Sequence, residues 1–261
     1  MISRSRLLVY RMLFGIALLA LWELSSGRLI DPFWVSSPSQ VFIYLYGIIA
    51  DGSIFTHLAV TLYETFSGFL IGAVFGIGLG FALGRRETLA EVLDPYVVAF
   101  NGIPRIALAP LFIIWFGIGP TSKVILVVSV VFFLTFFNTF AGVKGVDAEL
   151  KNILRIMGAS ERQILWKVTL PSIVPWITTG LKISLPYAIV AAVVGEFIAA
   201  GKGLGYLINY NTSLFSTTGA LGGILVLALV VVICNEAINR AESYLLRWRP
   251  SEERKTEGEL Y

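Results

Sequence analysis

Cysteine and histidine are almost missing from this 261-residue chain, which has one of each, Cys234 and His57. A single cysteine excludes an internal disulfide, and Cys234 lies within the apolar run "GGILVLALVVVICNEAINR", where a small buried hydrophobe is the plain reading. A single histidine with no cysteine or second histidine beside it leaves no cluster for metal binding or for nucleophilic catalysis within one chain. No metal site and no cofactor are therefore expected. Charge is scarce as well: Asp, Glu, Lys and Arg make up 14% of the residues, against 56% hydrophobic ones, and mean hydropathy is +0.80. A water-soluble domain of this size needs more polar surface than that, so the chain reads as an integral membrane protein. Nucleophile elbow, phosphate loop and metal-ligand spacing are all missing, which argues against an intramembrane enzyme.

Long apolar runs are what the sequence has in abundance. About six stretches have the roughly 20 residues an apolar helix needs to cross a bilayer, near 7–25, 59–83, 97–117, 122–143, 178–200 and 219–243. They predict an all-α integral membrane protein forming a single domain over 1–261, with a polar tail at 244–261. The first run has a rival reading. Arg4, Arg6 and Arg11 ahead of "MLFGIALLALW" have the layout of a secretory signal, but "ELSSGRLIDP" supplies no small-x-small cleavage site, which favours a retained anchor.

Basic residues set the orientation. With these spans, Arg28, Lys123 and Lys202 fall on one side, Arg105 and Lys182 lie inside spans, and every other one of the 20 Lys and Arg shares the side of the N-terminus. That asymmetry places both termini in the cytoplasm. It also accounts for the net charge of +3 by topology, with no nucleic-acid partner required.

One cytoplasmic stretch, 144–171, is polar between two apolar runs. Asp147 is placed to cap a helix on which Leu150, Ile153, Leu154 and Met157 share an apolar face, and Gly158 is placed to end it. Ser160 and Gln163 form a capping box for a second short helix, carrying Ile164, Leu165 and Val168 and stopped by Pro171. The first helix, about 11 residues and roughly 16 Å long, is too short to be stable alone in water and calls for a docking surface. A helix lying on lipid headgroups is the competing reading, which Asp147, Glu149 and Glu161 disfavour near anionic lipid.

Within the spans, Gly68, Gly72, Gly76, Gly80 and Gly84 recur at every fourth position and leave one stripe of a helix without side chains, the condition for close helix approach. Pro104 and Pro110 interrupt the next span, and such breaks are tolerated at membrane depth where backbone faces protein or a water-filled cavity. Arg105, beside that break, either faces an aqueous path or pairs with a neighbouring helix. Glu64 and Glu196 are expected about one turn from the outer ends of their helices, within reach of the interface, and Lys182 is expected to snorkel to the inner surface. Glu236 precedes Arg240 by one turn, the favourable order for an ion pair.

The cytoplasmic stretch resembles the coupling loop of ABC importer permeases, whose pattern is Glu-Ala-Ala, three residues, Gly, nine residues, Ile, one residue, Leu-Pro. Here Gly158 is followed after nine residues by Val168, Thr169, Leu170 and Pro171, whereas Asn152, Ile153 and Leu154 occupy the Glu-Ala-Ala positions. Ala159 and Ser160 continue the turn. The run "NGIPRIALAPLFIIWFGIGP" is similar to the nitrate, sulfonate and taurine branch of these permeases, as are Thr61, Leu62, Gly68 and Phe69 in "TLYETFSGF" and Glu196, Gly203, Leu204 and Gly205 in "GEFIAAGKGLG". The resemblance implies a type I ABC importer permease fold in the inner membrane. It also implies a homodimer or paralogous heterodimer forming a gated path, two ABC ATPase subunits that hydrolyse ATP, and an extracytoplasmic solute-binding protein. The cargo implied is a small anion such as a sulfonate or nitrate, or alternatively a vitamin or pyrimidine precursor. Pro104, Arg105, Pro110 and Glu196 become candidates for the path. A secondary transporter is the alternative of another class, for which an internal repeat is expected and none is evident.

Overall fold

A computed structural model describes residues 4–247, except for the side chains of Arg4, Ser5, Glu87, Ala90 and Asp94. The predicted tail therefore lies largely outside the described residues. The described chain is helical nearly throughout: α1 (Arg4–Ser25), α2 (Pro32–Val35), α3 (Pro38–Ala50), α4 (Ser53–Gly84), α5 (Glu87–Gly102), a 3-10 turn at Arg105–Leu108, α6 (Ala109–Phe116), α7 (Pro120–Lys144), α8 (Ala148–Ile156), α9 (Glu161–Ile164), a π-helical turn at Leu165–Thr169, α10 (Leu170–Ile198), α11 (Leu204–Ser213) and α12 (Thr217–Leu245). Five helical stretches are long and apolar enough to cross a bilayer, and Pro95–Gly102 with Arg105–Phe116, bent by 73°, make a sixth when taken as one broken span.

The bundle is organised around α7. Its neighbours α4 and α10 pack along it, and α6 joins them through a core of Ala73, Ala109, Phe112, Leu126, Val127, Val131, Ala188, Ala191 and Ala192. The dominance of alanine and valine follows from the distances involved. On α4, added Cβ atoms at Gly68, Gly72 and Gly84 would come within 2.5 Å, 2.9 Å and 2.7 Å of the Cβ atoms of Val127, Val131 and Val143. Both series advance by four residues in the same direction, so α4 and α7 run parallel with α5 and α6 as the crossover between them. The predicted glycine stripe is thus a seam in which backbone nearly meets backbone, stabilised by dispersion contacts rather than by expulsion of water.

Outside this core, α11 and α12 close one end through Ile54, Leu185, Ile189, Val193, Leu204, Leu207, Val230 and Cys234. Cys234 is buried there, as its surroundings in the sequence implied. Helix α1 stands apart. No residue of its apolar window is buried. It is tied to the bundle at its C-terminal end, where the Trp22 indole N–H donates to the Val35 carbonyl (3.2 Å) and Glu23 accepts from the Ser39 N–H (3.0 Å) and hydroxyl (2.7 Å). Its large apolar side chains, from Leu7 to Leu24, face outward, which suits lipid as solvent.

One boundary differs from the sequence reading. Pro171 does not stop a short helix: the helical path from Glu161 continues through Pro171 and Pro175 to Ile198, 38 residues in all. The π-helical turn at Leu165–Thr169 immediately precedes Pro171, and a locally widened ladder tolerates the missing donor of proline. Deeper in, the Thr178 and Thr179 hydroxyls both donate to the Pro175 carbonyl at 2.9 Å. At about 1.5 Å per residue this path reaches roughly 57 Å, longer than a hydrocarbon core of about 30 Å, and its first turns run past the end of α7, where Gly142 meets Trp176.

Candidate coupling loop and membrane path

The projecting end carries a built helix-turn-helix. Asp147 Oδ1 accepts from the N–H groups of Glu149 (2.7 Å) and Leu150 (3.3 Å), capping α8. Gly158 takes φ +85° beyond its C-terminus, and the Ala159 and Gly158 N–H groups return to the carbonyls of Leu154 (2.9 Å) and Arg155 (3.0 Å). A left-handed turn of this kind is where glycine is favoured over residues with a Cβ. Ser160 and Gln163 then make a reciprocal capping box, at 2.8 Å and 3.3 Å. Across the turn Arg155 binds Glu161 at 2.7 Å, and within α8 it donates to Asn152 Oδ1 at 3.0 Å.

No residue of α8 is buried. Leu150, Ile153, Ile156 and Met157 are exposed, the last two at 87% and 76%. The helix is therefore held in shape by its caps and by one cross-turn ion pair, while Leu150, Ile153, Ile156 and Met157 stay exposed and Leu154 is half-buried. The other half of the loop behaves differently: Val168 and Leu170 pack against Val143, Val146 and Ile173 beneath α8, so Pro171 belongs to the base that carries the loop.

The predicted path residues fall into two groups. Ile103 and Pro104 are extended, and the chain turns there between α5 and the 3-10 turn. Pro110 causes no break; it occupies the first turn of α6, where proline has no intrahelical donor to lose. Arg105 pairs with neighbours on two elements, donating to Asn101 Oδ1 at 2.9 Å and lying 4.0 Å above the ring of Phe133 on α7. Its Nε is buried without a partner. Phe133 is near the middle of α7, which puts Arg105 beside the middle of that span.

Glu196 is elsewhere. It lies at the α11 end, against residues near the start of α7, and ten residues of α7 between Lys123 and Phe133 span about 15 Å. Contrary to the expectation of an interfacial carboxylate, Glu196 and Glu64 are only 1% and 2% exposed. Glu196 Oε1 accepts from the Thr61 hydroxyl and Oε2 from the Gly205 N–H, both at 2.6 Å, and the Thr61 oxygen accepts from the Leu204 N–H at 2.8 Å. His57 Nδ1 accepts from the Gly203 N–H at 3.1 Å. Gly203 has φ +119°, and a Cβ on it would collide with the Glu196 carboxyl.

Thus Thr61, Glu196, Gly203, Leu204 and Gly205, quoted from two separate stretches of sequence, form one junction between α4, α10 and α11. Sequence reasoning missed Lys123 here. Counted in the sequence with Arg28 and Lys202 on the side away from the N-terminus, it is 2% exposed and donates to the carbonyls of Ile118 and Gly119, the latter at 3.2 Å. Its position three residues into a helix gave no sign of burial. Lys182 does not snorkel freely but meets Glu242 of α12 at 3.2 Å, and Glu236 pairs with Arg240 at 2.8 Å as predicted.

Among known proteins, a permease of formylaminopyrimidine transport from Halalkalibacterium halodurans is 34% identical over 91% of this chain and 94% of its own length. The taurine transport permease of Escherichia coli is 33% identical over 87% and 84%, and a putative aliphatic sulfonate permease of Bacillus subtilis 31% over 93% and 88%. Of solved structures, the MetNI methionine ABC transporter in an inward-facing conformation superposes with a TM-score of 0.61 at 22% identity, over 73% of this chain and 93% of that one. The model of the family described as binding-protein-dependent transport system inner membrane component matches residues 72–248. With two thirds of its length matched and with full-length relatives above 30% identity, the chain belongs to that family, the membrane-spanning permease subunits of ABC importers.

Proposed function

We propose that this permease forms a solute path as a dimer, with a second copy of itself or a paralogue, in the inner membrane with both termini cytoplasmic. Its α8 seats in a separate ATPase subunit that supplies the hydrolysis, and a binding protein delivers solute from the opposite side. The single observation that carries this reading is α8 itself: capped at both ends, projecting on a long continuous helix, and displaying Ile153, Ile156 and Met157 to a partner. An exposed apolar face on so short a helix is explained by a groove that covers it. Asn152, at the position of the family's glutamate, is turned to Arg155 and so supports the turn from within the loop.

Small sulfonates of the taurine type are the cargo class favoured by the relatives, and a formylaminopyrimidine-like vitamin precursor is the second reading, favoured by the relative at 34% identity. Pro104 and Arg105 are assigned to the path. Glu196 is assigned to the α4–α11 junction, closed off from solvent.

Two substitutions test the coupling role. Gly158→Val places a β-branched side chain at φ +85°, a strain of roughly 1–3 kcal/mol, and Met157→Glu charges the exposed face. Both variants are expected to insert normally, yet to co-purify with little ATPase or to hydrolyse ATP without substrate stimulation in lipid vesicles. Wild-type assembly and coupling in both would show that α8 transmits nothing.

A further inference from the structure

Three ionisable side chains from three helices are withdrawn from solvent together at the α11 end. Glu64 on α4, Lys123 on α7 and Glu196 on α10 are 2%, 2% and 1% exposed. Thr61, one turn before Glu64 on α4, donates to Glu196 at 2.6 Å, and a Cβ on Gly195, next to Glu196, would come within 2.8 Å of the Lys123 side chain, so the three groups share one buried region. None of the three belongs to an ion pair among the described residues, where the pairs are Arg155–Glu161, Lys182–Glu242 and Arg240–Glu236. Glu196 has donors for both oxygens, in Thr61 and Gly205. Glu64 has none for Oε2, which is buried and unpartnered.

Charge balance decides what this arrangement holds. If both carboxyls were ionised, two negative charges would share one buried region and the cluster would carry one uncompensated negative charge in a low-dielectric interior, at a cost of several kcal/mol. One proton removes both penalties. It leaves one carboxylate to balance Lys123 and makes the other carboxyl neutral and able to donate, so that the buried, unpartnered oxygen of Glu64 carries no charge.

We propose that Glu64 and Glu196 form a buried proton-binding site, in which one proton is shared between the two carboxyls and Lys123 balances the remaining charge. Glu196, which already accepts two hydrogen bonds, holds the negative charge, and Glu64 holds the proton and donates it towards Glu196. On α4, His57 is engaged by the Gly203 N–H with Lys202 near it, and the nearest titratable group on α11, Tyr206, stacks on His57 at 5.8 Å. Loss of the proton would set like charges against each other at the point where Thr61 ties α4 to α11. The site rests on the membrane-spanning bundle alone and is independent of the cargo or of ATPase docking.

Infrared spectra of the full chain in lipid bilayer discs read the proton directly, because a neutral carboxylic acid has a C=O stretch separate from carboxylate bands. Wild-type protein at neutral pH should show that band, and Glu64→Gln should abolish it. Lys123→Met should roughly double it, since both carboxyls must then be neutral. Gln reproduces the shape and hydrogen bonding of the protonated acid, so Glu64→Gln should accumulate in the membrane at the wild-type level; failure to do so overturns the assignment. So does a wild-type spectrum without the band, with or without stabilisation by added sodium, and so does a band of unchanged size in either variant.

Discussion

The α4–α7 seam and the α5–α6 crossover lie side by side in the bundle and solve opposite problems. In the seam, five glycines bring backbone against the other helix, and what fills the contact is Val127, Val131, Thr135, Thr139 and Val143. In the crossover, the chain gives up helical continuity at Ile103 and Pro104, bends by 73°, and leaves Ile103, Pro104 and Ile106 exposed. Without a hydrophobic difference between lipid and side chain, membrane helices are fixed by close packing and lost where it is missing. The seam is therefore the part of the bundle with one arrangement available, and the crossover the part whose backbone has room to move or to meet a solute.

The sharpest way to break this contrast is to thicken the seam. A Cβ at Gly72 would come within 2.9 Å of Val131 Cβ and about as close to backbone atoms of α7, the Val128 carbonyl at 3.0 Å and the Phe132 nitrogen at 3.1 Å. Backbone cannot step aside as a flexible side chain does. Gly72→Val should therefore force α4 and α7 apart, at the upper end of the roughly 1–3 kcal/mol typical of overpacking or beyond it, and membrane-inserted, protease-resistant protein should fall severalfold. Gly78→Val is the control on the same helix, because nothing lies within 4 Å of a Cβ there. Equal loss from both would mean that β-branching in α4, rather than the seam, is responsible.

How much of this was legible in the sequence follows from the kind of signal each feature leaves. The glycine stripe is periodic, and periodicity survives without a structure, so the seam could be anticipated down to its five residues. The caps of α8 and α9 are local as well: Asp147, Gly158 and the Ser160–Gln163 box each act within four residues. Pro171 misled because its effect depends on the turn before it, where a π-helical widening absorbs the missing donor. Pro110 misled for a related reason, since a proline that looks like a break in a long apolar run is benign once the run has already restarted beside it. Hardest to see was the Glu64–Lys123–Glu196 cluster. Its members are 59 and 73 residues apart along the chain, and each alone reads as an interfacial charge; only the packing of α4, α7 and α10 withdraws all three from solvent.

A milder intervention sharpens the other half of the comparison. Arg105 is the one cation at the crossover break, and its buried Nε has no partner. If the crossover lines the path, Arg105→Gln should reduce uptake of an anionic substrate by about tenfold, in the range expected when a charge-assisted hydrogen bond worth about 1.5–3 kcal/mol is lost, without lowering insertion or ATPase association. Unchanged uptake kinetics in vesicles would return Arg105 to a packing role and leave the path unassigned.

The smallest effect is expected from the ring beneath that cation. Phe133 belongs to α7, faces Arg105 at 4.0 Å, and stands edge-on to Phe132 with ring centroids 4.9 Å apart. Phe133→Leu keeps an apolar side chain in place and removes the aromatic face, a cation–π contribution of about 0.5–2 kcal/mol. The guanidinium keeps its charge and its hydrogen bond to Asn101, so an anion in the path still meets it. Uptake should accordingly change by a few-fold at most, well short of the Arg105→Gln loss, and the change should appear in KM through a less firmly positioned side chain. The ranking is what matters. If Phe133→Leu lowers uptake as far as Arg105→Gln does, and insertion falls with it, then Arg105 serves to fasten the crossover to α7, and the bent span is as fixed an element as the glycine seam beside it.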